Sequence, residues 1–214
     1  MKLFRAATIP PVLTALAFFA GALLYTRMPE LVASHWDASG AVNGYMSKFW
    51  GTFLLPIVMA GLTVLAHVLP KIDPRAANIE NFRAQYDTFC AAIAGLLAYV
   101  YALSLAWNLG ARFNFSLMIV PALAVLFFVI GNLLEHSKQN WFIGIRTPWT
   151  LSSELVWNKT NKLAAKLFRV AAAVMILGAY LAPPKFQAPV IIVPIFAAAL
   201  ASMIYSYLEF RKLK

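Results

Sequence analysis

Six apolar runs, each about 20 residues long, constrain this chain more than any other feature of its sequence. A bilayer core is about 30 Å thick, and a helix rising about 1.5 Å per residue needs about 20 apolar residues to cross it. The runs extend from about Ala6 to Tyr25, Phe49 to Leu69, Thr88 to Leu109, Phe113 to Leu134, Ala164 to Ala182 and Pro189 to Leu208. The first holds no charge, the second is interrupted only by His67, and the fifth carries Arg169 near its start. The composition agrees: 62% of the 214 residues are hydrophobic and 12% are charged. Soluble domains are about 45–50% apolar and about 25% charged, so the chain reads as an integral membrane protein. The first run follows Lys2 and Arg5, as a signal peptide would, but its apolar stretch is long and an uncleaved helix is expected.

The formal charge is +10, from 18 Lys and Arg against 8 Asp and Glu. In a soluble protein this would suggest nucleic acid. In a membrane protein, basic residues collect on the cytoplasmic side and meet anionic lipid, so lipids are the expected partners and nucleic acid is not. With the N-terminus inside, the cytoplasmic segments hold Lys2, Arg5, Lys71, Arg75, Arg83, Lys138, Arg146, Lys159, Lys162, Lys166, Arg169, Arg211, Lys212 and Lys214. The outer segments hold Arg27, Lys48, Arg112 and Lys185. This asymmetry predicts an all-α bundle of six transmembrane helices with both termini cytoplasmic, forming a single domain over residues 1–214. Pro56, Pro121 and Pro194 fall inside spans and predict kinks. The single cysteine, Cys90, lies in an apolar run and forms no intrachain disulfide.

Two connections are unlike the rest. The first is the outer motif over residues 25–50, containing "RMPELVASHWDASGAVNGYMSKFW". Gly40 and Gly44 permit positive φ, and Asn43-Gly44 is a turn signal. His35, Trp36 and Asp37 form a polar-aromatic cluster, and Tyr45, Phe49 and Trp50 suit the headgroup region. A metal site wants three or four His, Cys, Asp or Glu ligands, whereas His67 and His136 fall on the opposite face by the charge count. There is no HExxH, no GxSxG and no Ser–His–Asp set on one face. No metal, no cofactor and no enzymatic activity are therefore expected. His35 and Asp37 either fasten the loop by hydrogen bonds or form a recognition surface, and both can hold. The recognition candidates are His35, Trp36, Asp37, Gly40, Gly44, Tyr45 and Lys48.

The second connection is the cytoplasmic motif over residues 135–168. Thr147-Pro148 forces extended backbone before the proline, and Gly144 between two isoleucines suggests a bend or close approach. Asn140 to Pro148 is predicted to be ordered and non-helical, with Trp141 and Trp149 at the inner interface. "TLSSELVWNKTNKLAAKLFR" then reads as a helix capped by Ser152 or Ser153, with Glu154 in its first turn. Asn158, Lys159, Lys162, Lys166 and Arg169 share one stripe, making a basic amphipathic helix that runs into the fifth span. Arg146 has a structural or headgroup role, or binds a ligand through its fixed fork of donors. His67, Glu135 and His136 either contact water separately or meet as a proton relay.

Both connections resemble a known family. Pro29, His35-Trp36, Gly40, Gly44-Tyr45 and Ser47-Lys48 look like the short domain of unknown function common near the N-terminus of SdpI-type proteins. Asn140, Trp141, Phe142, Gly144, Ile145, Arg146, Thr147, Pro148, Trp149 and Thr150, followed by Trp157, Thr160 and Asn161, closely resemble the SdpI family signature. The resemblance implies a multi-pass protein of the bacterial cytoplasmic membrane. It implies a non-enzymatic immunity function, binding or neutralising a secreted toxin peptide and holding a cytoplasmic transcriptional repressor at the membrane. The alternative from the residues is a small-solute or ion transporter, for which the spans offer Ser104, Asn108, Asn132 and His67. A membrane-embedded enzyme is a third option and would require Arg146, Glu135 and His136 to converge.

Overall fold

The structure, a computed structural model, describes residues 6–213. Lys2, Arg5 and Lys214 of the charge count lie outside the described residues, as does the side chain of Lys185. The elements are α1 (Ile9–Leu24), β1 (Leu31–Trp36), β2 (Val42–Ser47), α2 (Lys48–Ile72), α3 (Ala76–Glu80), α4 (Arg83–Asn108), α5 (Phe115–His136), α6 (Pro148–Ser152), α7 (Glu154–Leu181) and α8 (Pro184–Arg211). Among the described residues, six helical segments are long and apolar enough to cross a membrane. They coincide with the six expected runs, and most extend a few residues past them. The chain is therefore an all-α membrane protein carrying one small sheet.

That sheet corrects the sequence reading. The loop over residues 27–50 contains an antiparallel hairpin of β1 and β2. Asn43-Gly44 is not its turn, because both residues lie within β2. Gly44 sits there because a Cβ would stand 2.9 Å from the Cβ of His35 across the pair. The amphipathic helix and the fifth span form one continuous helix, the 28-residue α7, which Ser153 caps by accepting from the Val156 amide.

The chain divides into two compact units, Met1–Ala66 with Cys90–Ala122 and His67–Phe89 with Leu123–Lys214. In the first, Ala17, Met28, Val32, Met59, Tyr101 and Leu105 form the core. Val32 is fully buried, so β1 is built into the helices and does not lie loosely over them. Gly51 makes this possible, since a Cβ there would fall 2.4 Å from the Cβ of Val32.

In the second unit, α7 packs closely along α8. Lipid gives helices no hydrophobic reason to associate, so close backbone approach and van der Waals contact must do it. The buried face of α7 is accordingly rich in small residues, Ala164, Ala165, Ala171, Ala172 and Ala179. Larger side chains fill the space around Ala164 and Ala165, with Phe127 stacked on Phe168 at 5.9 Å. At the C-terminal end of α8 the buried Glu209 receives Lys159 of α7 at 2.7 Å and Lys212 at 2.5 Å. The Glu209 carboxylate in turn holds Lys212 above the ordinary lysine value.

Candidate functional site

The hairpin is tied to the rest of the first unit at its turn and along β1. Its turn is built on Asp37, whose Oδ1 accepts from the Ser39 amide at 2.8 Å, the Ser39 hydroxyl at 2.6 Å and the Ala41 amide at 3.1 Å. Gly40 follows at φ +86°, and a Cβ there would meet the Asn114 side chain at 2.6 Å. Asn114 donates to the Ser39 carbonyl, and Ser116 donates to the Asp37 carbonyl, so the start of α5 is fastened to the turn. At the end of α4, Asn108 accepts from the Ala33 amide at 2.8 Å and donates to the Ala33 carbonyl at 3.0 Å. A side-chain amide thus takes the place of a third strand beside β1. Trp36 stacks on Phe115 at 3.7 Å and meets Trp107 edge-on at 5.7 Å. His35 pairs through Nδ1 with Asn43. Lys48 bonds Glu30 at 3.1 Å, and Tyr45 is exposed.

The Ser39 hydroxyl, followed by the turn amides, holds the Asp37 carboxyl below its ordinary value of 3.8. A carboxylate depressed on folding stabilises the turn above the unfolded value, and that contribution is lost as pH falls through the depressed one. Protection of the Ser39 and Ala41 amides from hydrogen exchange should therefore be intact at neutral pH and should decline below pH 3.8. Protection factors that stay constant through that window would count against the Asp37 anchor.

The second candidate site is a knot of buried amides and hydroxyls. Asn140 is fully buried and uses its whole amide. Its Nδ2 donates to the Lys138 and Ile143 carbonyls, each at 2.8 Å, and its Oδ1 accepts from the Phe142 and Ile143 amides at 2.9 and 2.7 Å. Asn161 on α7 accepts from the Ile145 amide at 2.8 Å. Trp157, also fully buried, donates its indole N–H to the Ser137 carbonyl at 3.0 Å. Gly144 has φ +128°, and a Cβ there would lie 2.8 Å from the Trp157 ring. Thr147 caps α6 in a reciprocal box with Thr150, with Pro148 in the first turn, and contacts Ser206 of α8 at 3.0 Å. Trp149 packs on Tyr207 at 5.0 Å.

Sequence reasoning gathered Asn140, Gly144, Ile145, Thr147, Trp157 and Asn161, and these do converge. Arg146 stands apart: it is exposed and donates to the Trp141 carbonyl at 2.6 Å. Thr160 is buried, with a hydroxyl that has no partner among the described residues. Glu135 pairs with Arg169, and His136 bonds the Asn132 carbonyl at 2.9 Å, so each of these two is engaged elsewhere than with Arg146.

Residues 137–206 match the SdpI/YfhL protein family, and residues 12–60 match the domain of unknown function DUF1648. The chain is also 26% identical over 203 residues, 94% of each chain, to the immunity protein SdpI of Bacillus subtilis strain 168. The chain thus resembles the SdpI family. No solved structure matches it. With its similarity to SdpI and six candidate spans, it is a multi-pass protein of the bacterial cytoplasmic membrane. The DUF1648 match contains the hairpin, and the SdpI match contains both partners of the Thr147–Ser206 bond.

Several residues that build these sites were not singled out from sequence. The buried Asp73 accepts the Trp141 amide at 2.9 Å. Gln139 donates to the Thr150 and Leu151 carbonyls, and its own carbonyl accepts from Asn78. Asn108, a candidate polar group for a transport path, is instead engaged with β1. A polar residue at the end of an apolar run is the only signal such groups leave, and it does not name the partner.

Proposed function

We propose that this protein confers immunity to a secreted toxin peptide, with the hairpin on the outer face and the Asn140–Thr150 element on the cytoplasmic face. The observation that carries this reading is similarity to an immunity protein over 94% of each chain. The charge distribution supports the orientation, since 14 of the 18 basic residues fall on the side assigned to the cytoplasm. The hairpin supports an outer recognition role because it is fixed at the turn and along β1 while the residues of β2 stay accessible. On the inner side, Trp141, Phe142 and Arg146 are exposed around a rigid knot, which suits a platform for a cytoplasmic repressor.

Expression in a sensitive bacterium tests this. In a Cys90→Ala background, an impermeant thiol reagent should label Ala38→Cys but not Asn158→Cys in intact cells. The chain should raise survival against at least one of a panel of purified secreted killing peptides; no gain against any of them would sink the reading. Arg146→Ala removes one hydrogen bond at the surface and should cost about 1 kcal/mol or less. The variant should accumulate and protect normally yet fail to hold the repressor in the membrane fraction. Its loss from the membrane would make Arg146 part of the brace instead.

A further inference from the structure

Between the hairpin and parts of α2, α4 and α5 lies a half-open cavity of about 310 Å³. Its wall is mainly carbon, with Leu54, Leu55 and Ile119 beside the exposed Met46 and Trp50, and its few polar groups include Ser34 and Ser104. Pockets for whole small molecules run from about 300 to 1,000 Å³, so this one suits a single large apolar group.

Two features of the strands bear on what enters. The register of β1 slips on both sides of His35. As a result the successive residues Ser34, His35 and Trp36 all line the cavity, whereas regular alternation would send the middle one to the opposite face. The two edges of the sheet also differ. Asn108 occupies the outer edge of β1 at Ala33, while β2 has no further strand beside it among the described residues. Met46 belongs both to β2 and to the cavity wall. A peptide extended along β2 would gain main-chain hydrogen bonds and present alternate side chains on the face of Met46. A lipid chain could fill the cavity but has no use for a strand edge. The Trp36 indole N–H, buried and without an acceptor among the described residues, leaves a donor in the cavity wall residue itself.

We propose that an extended peptide pairs with β2 and inserts one apolar side chain into this cavity. The proposal rests on the immunity reading, the peptide being the secreted toxin. The test uses the full chain in the sensitive host and the killing peptide against which the wild type gives survival. Ser104→Trp and Met46→Trp each fill the cavity, and each is checked for membrane level and thermal melting. Both should lower protection about tenfold or more, as loss of a central anchor does. A photoreactive benzoylphenylalanine at Leu54 should cross-link to the peptide, and one at the exposed Val170 should not.

Folded filled variants that protect as well as wild type would overturn the proposal and leave the immunity reading intact. Cross-links from Leu54 to lipid alone would do the same. Should neither filled variant fold, the cross-link decides. A wild type that protects against no peptide would overturn both together, and the failure would show before any variant is made.

Discussion

Replacing Gly144 with alanine should destabilise the second unit by about 3 kcal/mol or more. Two independent effects act on one methyl group. The backbone is at φ +128°, where an L side chain is strained. The new carbon would also stand 2.8 Å from the Trp157 ring and 3.0 Å from Asn161 Oδ1. Neither neighbour can retreat. Trp157 is fully buried and held through its indole to Ser137, and Asn161 is held to the Ile145 amide. The expected result is a sharp fall in folded protein in the membrane and a lower melting temperature in detergent. Normal accumulation with an unchanged melt would show that this stretch of backbone can relax and is no brace.

Gly51→Ala should act on the other unit, by about 2 kcal/mol. The added carbon would meet the Cβ of Val32 at 2.4 Å and its two methyls at 2.6 and 3.0 Å, so rotating the valine gives no escape. Val32 is buried against the helices, and the hairpin must lift to make room. Hydrogen exchange in nanodiscs should show β1 and β2 losing protection. Gly61 in the same helix provides the control, because a Cβ there meets nothing within 4 Å. Gly61→Ala should leave the hairpin unchanged. Equal protection of β1 in the Gly51 and Gly61 variants would sink the argument.

These two glycines show what the sequence carries and what it hides. Gly144 was legible because Thr147-Pro148 and the flanking isoleucines already marked a bend. Gly51 was not, because the reason for it is a valine 19 residues earlier in the chain. The six spans were plain, since length and apolarity alone decide them. The hairpin was obscured because Gly44 interrupts β2, and because a dipeptide that usually turns the chain serves here to admit His35. Thr147-Pro148 was read as extended backbone, which Thr147 is at φ −125° and ψ 163°, but the same pair also starts α6. The sequence marks Asn140 to Pro148 as an ordered, non-helical element, and all but Pro148, which opens α6, is non-helical. Its partners Asp73 and Ser206 come from distant segments that no local pattern links to it.

The continuity of α7 has a mechanical consequence. At about 1.5 Å per residue, an uninterrupted 28-residue helix is a rod of roughly 42 Å. One end holds Trp157 and Asn161, and the other holds Met175 and Ala179, both fully buried. A stiff rod gripped at both ends transmits tilt without storing it along the way. A spin label on the exposed Lys162 would therefore report the attitude of the membrane-embedded half as faithfully as one placed there.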